Sequence, residues 1–212
     1  MRTVSRRAVI CDFGGVLTSP LMDAFAAVGE QSGVSVEAVW DAMTRVGEAT
    51  GRHPLYELEK GLIAEAEFLS MLEERLDGEV TLRGFREAYF AALHPNERMI
   101  DYIAELRARG LRTALLTNNV REWEPLWRAK LPIDEVFDVV VDSAFVGTRK
   151  PEPEIYAITL ERIGLPAEAC AFVDDIAVNV EAARALGFAV VHFRDTAQAI
   201  RELDALTGAP SG

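Results

Sequence analysis

The chain has 212 residues, half of them hydrophobic and 26% charged, with a formal net charge of −12. That length accommodates one or two domains around a buried core, while the acidity disfavours nonspecific binding to nucleic acid or an anionic membrane. The longest apolar runs are strand-sized, short of a membrane helix, and the two cysteines, Cys11 and Cys170, are too few for a disulfide framework.

The opening Met-Arg-Thr-Val-Ser-Arg-Arg has no signal-like apolar stretch, and Cys11 and Cys170, in or beside predicted core strands, read as buried structural thiols, from which a cytoplasmic location is expected. Residues 7–12 are the first predicted strand, which runs out into Asp12-Phe13-Gly14-Gly15-Val16-Leu17-Thr18. From about 19 to 93 the pattern is helical, with segments near 21–31, 35–49, 62–75 and 82–92 separated by Gly33, Gly51, Pro54, Gly61 and Gly78. The next helix, 97–109, puts Met99, Ile100, Ile103 and Leu106 on one face and stops at Gly110.

Strand 112–117 ends in Thr117-Asn118-Asn119, and a further strand covers 138–142. Arg149-Lys150-Pro151-Glu152-Pro153 places Lys150 at the opening of a helix over 153–163. Strand 171–174 closes on Asp174-Asp175, followed by helix 178–186, strand 189–193 and helix 196–206. Asp195 and Gln198 have the spacing of a capping box for that last helix, and the chain after Gly208 reads as a frayed tail.

Strands alternating with helices predict an α/β fold, a doubly wound, Rossmann-like parallel sheet. The division that follows is an α/β core of residues 1–18 and 94–212, with a helical cap of residues 19–93 inserted after the first strand. Such an insert can lie over the strand ends as a lid. Open parallel sheets bind ligands outside the carboxyl ends of their strands, and three of the four polar motifs stand there. Together the motifs supply a carboxylate, a hydroxyl, an ammonium and a pair of acids, a set suited to phosphoryl transfer. Lys150 is one of three lysines among 22 basic residues, the others being Lys60 and Lys130.

In order and spacing these motifs resemble the haloacid dehalogenase-like (HAD) hydrolase superfamily, in the branch whose helical cap follows the first motif. The pattern is similar to the phosphatase-like domain of soluble epoxide hydrolase and to small bacterial sugar-phosphate phosphatases. The resemblance covers nearly the whole chain, including Val146–Tyr156 and Asn179-Val180-Glu181-Ala182-Ala183. It implies that Asp12 is a nucleophile that attacks phosphorus to give an aspartyl-phosphate, which water hydrolyses. It implies Mg²⁺ as cofactor, held by the Asp12 carboxylate, the main-chain carbonyl of Gly14 and Asp175, the last chosen by counting back from Asn179. Asp174 then stands behind the metal, orienting its water or Lys150. Thr117 and Asn118 bind the transferring phosphoryl group through the Thr hydroxyl and main-chain N–H groups, and Lys150 neutralises Asp12 and the phosphate.

Gly14 departs from the family pattern, which usually has a second Asp there as acid to the leaving alcohol and base to water. Glycine keeps the carbonyl and loses the acid, so a substrate group, a metal-bound water or a cap residue would have to replace it. Gly14→Asp is expected to speed alkyl-phosphate hydrolysis where acid catalysis limits. His53, Tyr56, Glu57, Glu59 and Lys60 are the cap residues that could face the site or simply form a polar helix surface. Trp123 and Trp127 could line an entrance, form a dimer surface or pack a helix; His94 and His192 read as structural.

The resulting expectation is a Mg²⁺-dependent phosphatase acting on a small phosphorylated metabolite. The rivals are a noncatalytic phosphate- and Mg²⁺-binding module, a phosphonatase using Lys60, and a dehalogenase, against which the paired acids argue. A monomer and a homodimer both remain open.

Overall fold

The computed structural model describes residues 6–76, 82 and 84–208, without the side chains of residues 27 and 30–32. The chain runs from β1 (Ala8–Cys11) into helices α1 (Leu21–Ser32), α2 (Val36–Thr50), α3 (Pro54–Glu59), α4 (Glu65–Glu73) and α5 (Phe85–Ala92). It continues through α6 (Glu97–Ala108), β2 (Arg112–Thr117), α7 (Glu124–Arg128), α8 (Ile133–Val136), β3 (Val139–Asp142) and α9 (Ser143–Val146). It closes with α10 (Pro153–Ile163), β4 (Cys170–Asp174), α11 (Ala177–Ala185), β5 (Ala189–His192) and α12 (Thr196–Thr207).

All four side chains of β1 are fully buried, which requires a neighbour on each edge and a layer on each face. The sheet supplies the edges: among the described residues it is five-stranded, ordered β3-β2-β1-β4-β5, and every pair is parallel. The faces follow from the two-residue period of a strand. Val9 and Cys11 point into one apolar cluster with Ile103, Leu106 and Leu203, whereas Ala8 and Ile10 point into another with Ile155, Tyr156 and Phe172. After β1 the chain goes to one side of the sheet, and after β4 it goes to the other. The crevice at this reversal, between the ends of β1 and β4, is where a doubly wound sheet binds ligands.

The chain enters and leaves the block of helices α1–α5 at a single seam. Thr18 and Pro95 form an antiparallel bridge, Ser19 N–H donates to His94 O (2.7 Å) and Asn96 N–H to Leu17 O (2.9 Å).

The predicted strands and the helices outside this block lie within two residues of the observed elements. Inside it, Pro54 starts a helix instead of separating two. Its fixed φ and missing N–H suit a first helical turn, and α3 begins on it. The segment expected at 62–75 is shorter, at 65–73, because the chain before α4 is extended at Ala64. The one expected at 82–92 begins at Phe85, after Gly84 in left-handed backbone at φ +78°. The break at Gly78 and the tail beyond Gly208 lie outside the described residues. Helices α7, α8 and α9, of four or five residues each, are too short to leave a periodic signal. No helix among the described residues is long and apolar enough to cross a membrane.

The capping box of α12 is formed: Asp195 accepts from Gln198 N–H (2.8 Å), and Gln198 Oε1 accepts from Asp195 N–H (3.5 Å). Asp195→Ala is expected to cost about 1 kcal/mol, read as a lower midpoint in denaturant unfolding.

Candidate active site

The strand register sets the nucleophile position. Cys11 pairs with Val173, so Asp12 and Asp174 leave the sheet side by side, and Asp12 N–H donates to Val173 O at 2.9 Å. Asp12 Oδ1 accepts from Phe13 N–H (2.7 Å) and pairs with Lys150 Nζ (2.6 Å). The chain then turns at Gly15, where φ is +74° and a β-carbon would run into Asp175 Oδ2. Only glycine allows both the left-handed turn and the close approach of the two loops.

Lys150 is 1% exposed, and its Nζ bridges Asp12 and Asp174 Oδ2 (2.7 Å). It lies before α10 rather than on it: Glu152 is the N-cap and Pro153 the first helical residue. Its main chain is clamped from β2, since Asn118 Oδ1 accepts from Lys150 N–H (2.8 Å) and Asn118 Nδ2 donates to Lys150 O (2.9 Å). The Asn118 side chain is therefore used at both ends in holding the lysine loop. Thr117, at the end of β2, is 2% exposed, and its hydroxyl makes a long bond of 3.4 Å to Asn118 O.

The two acids after β4 have different surroundings. Asp174 is fully buried and accepts from Lys150, from Asn179 Nδ2 (3.1 and 3.2 Å) and from Ile176 N–H (2.8 Å). Asp175 is half-buried and has no ion pair among the described residues; His192 Nε2 lies 3.0 Å from its main-chain oxygen. Asp12, Asp174 and Asp175 each offer an oxygen within 4.8 Å of the others. Three acids against one ammonium leave an excess of negative charge. Burial, with Asp174 and Asp175 adding to it against Lys150, pushes Asp12 up to about 8. Burial and the Asp174 charge likewise raise Asp175. A hard divalent cation fits this donor set, because it relieves the repulsion and prefers carboxylate oxygens.

Of the candidate residues in the helical block, three meet the loop that carries Lys150. Glu59 pairs with Arg149, whose guanidinium lies 4.1 Å from the centre of the Tyr56 ring, and Lys60 pairs with Glu152. A phosphonate-cleaving reading needs Lys60 as a free amine; here it is an ion-pair partner. Glu57 pairs with Arg52 (3.5 Å), and His53 stacks on Tyr56 at 4.2 Å. At Gly61, which follows α3, φ is +65° and a β-carbon would meet Ala144 O, so glycine lets α3 settle against α9. Trp127 is fully buried against Phe13. Trp123 packs among Phe85, Tyr89 and Phe90, and its indole N–H donates to Glu65 (2.7 Å). Both tryptophans are thus packing residues. His94 is exposed, with its main chain in the seam. Cys11 and Cys170 are buried free thiols.

Sequence reasoning missed Arg149 as an anchor for Glu59, Asn118 as the clamp on Lys150, and Leu21, whose side chain fills the space in front of Gly14. The adjacency of Arg149 to the singled-out lysine was the one signal available in the sequence.

Residues 6–187 match the model of the haloacid dehalogenase-like hydrolase family. The chain is 34% identical to acyl-CoA dehydrogenase family member 10 of Mus musculus over 97% of its own length, but spans only 20% of that protein. It is 28% identical to the sesquiterpene phosphatase astK of Aspergillus oryzae, over 95% of this chain and 97% of that one. Among solved structures, a HAD family enzyme of Bacteroides thetaiotaomicron in complex with magnesium and inorganic phosphate superposes with a TM-score of 0.67. The identity is 22%, and the match covers 88% of this chain and 93% of the other.

Proposed function

Because the chain belongs to the haloacid dehalogenase-like hydrolases, we propose that it is a Mg²⁺-dependent phosphatase acting on a small phosphorylated substrate through an aspartyl-phosphate on Asp12. The observation that carries this reading is the buried cluster at the β1/β4 crevice: a carboxylate shared with an ammonium, beside a second acid free to take a cation. The phosphatase named among the relatives over nearly its whole length and the magnesium and phosphate held by the structural relative support it.

Mg²⁺ would be held by Asp12, the Gly14 carbonyl and Asp175, where it supplies positive charge between two approaching anions. Asp12 presents a carboxylate oxygen to phosphorus, with its other contacts fixing its direction. The Lys150 ammonium offsets charge on Asp12 and on the phosphoryl oxygens. The Thr117 hydroxyl, poorly used by the protein itself, donates to the phosphoryl group. Asn118 acts through Lys150 by holding its loop, and Asn179 acts through Asp174 by fixing the carboxylate that orients the lysine. Residues 1–18 and 94–212 form the catalytic core in this reading. Residues 19–93 form the cap, joined to the core at the Thr18–Pro95 seam and resting on the 149–152 loop through Glu59 and Lys60.

Two measurements test the proposal. Phosphate release from p-nitrophenyl phosphate is expected with Mg²⁺ and lost in EDTA; release that persists in EDTA contradicts the metal requirement. Asp175→Ala is expected to weaken Mg²⁺ binding at least about tenfold more than Asp174→Ala, measured by titration calorimetry. Equal effects would undo the assignment of Asp175 as the ligand.

A further inference from the structure

Breaking a phosphate ester leaves negative charge on the departing oxygen, and an alkoxide leaves readily only when a neighbouring group gives it a proton. Among the described residues, the charged groups around Asp12 are already committed. Lys150 Nζ is shared between Asp12 and Asp174, and Asp174 is held by Lys150, Asn179 and the Ile176 N–H. Asp175 belongs to the proposed metal site. The loop after the nucleophile, Phe13-Gly14-Gly15-Val16-Leu17, has no titratable side chain. At Gly14, a β-carbon would lie 2.8 Å from both Leu21 methyl groups and 3.0 Å from Leu21 Cγ. The first residue of α1 thus puts hydrocarbon where a side chain two positions past the nucleophile would point. The other protic groups that sense Asp12 or Lys150 hold their protons or are paired. Burial, then the charges of Asp12 and Glu59, keep the Tyr89 phenol above its usual range. Burial raises the Cys11 thiol and the Tyr156 phenol, which donates to Asn179 O, and Glu59 is paired with Arg149.

We propose, resting on the phosphatase reading above, that the site is built for phosphoric anhydrides, acyl phosphates or diphosphates, whose leaving group departs without a proton. Alkyl phosphate esters are the poor substrates. In the first step an Asp12 oxygen bonds to phosphorus as the bond to the leaving oxygen breaks. That oxygen keeps the electron pair and leaves as a carboxylate or a phosphate. In the second step a water oxygen bonds to phosphorus, the bond to Asp12 breaks to restore its carboxylate, and both water protons end on the released phosphate.

The test is a leaving-group series on the native protein with Mg²⁺: acetyl phosphate, pyrophosphate, ring-substituted phenyl phosphates and glycerol 3-phosphate. We expect kcat/KM for acetyl phosphate or pyrophosphate to exceed that for glycerol 3-phosphate by at least about 10³-fold; which of the two leads identifies the anhydride type. Among the phenyl phosphates, which share one shape, kcat/KM is expected to fall at least about 10²-fold from the 4-nitro to the unsubstituted ester. A change below about threefold along that series overturns the inference, because it means that a proton is being supplied. Tyr89→Phe is expected to leave the slope unchanged; a steeper slope makes Tyr89 the donor and overturns it as well. Gly14→Asp combined with Leu21→Ala, checked for a native melting profile, is expected to flatten the series, and an unchanged slope counts against the role given to Leu21. If acetyl phosphate and every other member yield no phosphate, the phosphatase reading itself fails. A shallow slope with good turnover overturns this inference alone.

Discussion

Asp12→Asn is expected to lower turnover of every phosphate substrate by about 10⁴-fold or more, with the fold intact. Asparagine keeps the size of the side chain and an acceptor for the Phe13 N–H and for Lys150, while its amide cannot serve as the nucleophile. The same substitution has an opposite effect on stability when no metal is bound. The carboxyl of Asp12 is raised from 3.8 to about 8, chiefly by burial and then by its two acidic neighbours against the pull of Lys150. A group that holds its proton more tightly when folded stabilises the protonated, acidic state. That contribution is complete below pH 3.8 and is lost as pH climbs towards 8. In EDTA the native protein is therefore expected to lose stability across this window, and Asp12→Asn to reduce the loss. Denaturant midpoints at pH 5, 7 and 9 read the difference; parallel curves for the two proteins would show that folding does not raise the Asp12 carboxyl.

Lys150→Met is expected to abolish activity and to destabilise the metal-free protein by about 3–5 kcal/mol. The lysine is 1% exposed, with carboxylates at 2.6 and 2.7 Å. Burial alone would favour its neutral form, but Asp12 and Asp174 outweigh that and hold the ammonium above its ordinary range. Removing it leaves the buried Asp174 carboxylate without its cation, which is costlier than never having had the pair. Adding Asp174→Asn to Lys150→Met is expected to recover part of the lost stability and none of the activity. Lys150 and Asp174 are in contact, so their effects should not add. A Lys150→Met protein that melts like the native one would show that the ion pair contributes nothing to the fold.

The positions of the polar motifs were legible because of where hydrophobic runs stop. β1, β2 and β4 are short, apolar and bounded by polar residues, so Asp12, Thr117 and Asp174-Asp175 could be placed at strand ends before their spatial neighbours were known. Parallel pairing then brings those ends together. The helical block was legible only as helices. The start of α3 at Pro54 was obscured because proline separates helices in one context and opens them in another, and tertiary contact with α9 decides between the two. The role of Asn118 was hidden by distance along the chain: its partner lies 32 residues away, and nothing local distinguishes an amide that clamps a loop from one that faces a ligand. The same holds for Glu59 and Arg149, 90 residues apart, and for Leu21, which in sequence is an ordinary first residue of an amphipathic helix. The structure also changes what Gly14→Asp should do. A new carboxylate there must first displace the Leu21 side chain, so the single substitution is expected to gain less than the pair with Leu21→Ala.

In this mechanism Asp12 is the group that accepts the phosphoryl, and the most direct measurement is to trap it in that state. The native protein, mixed with Mg²⁺ and acetyl phosphate and quenched in acid within one turnover, is predicted to carry a phosphoryl group on the peptide containing Asp12, labile to hydroxylamine. The group should be missing in EDTA and in Asp12→Asn. Phosphate release at full rate with no phosphorylated Asp12 at any quench time would contradict the mechanism.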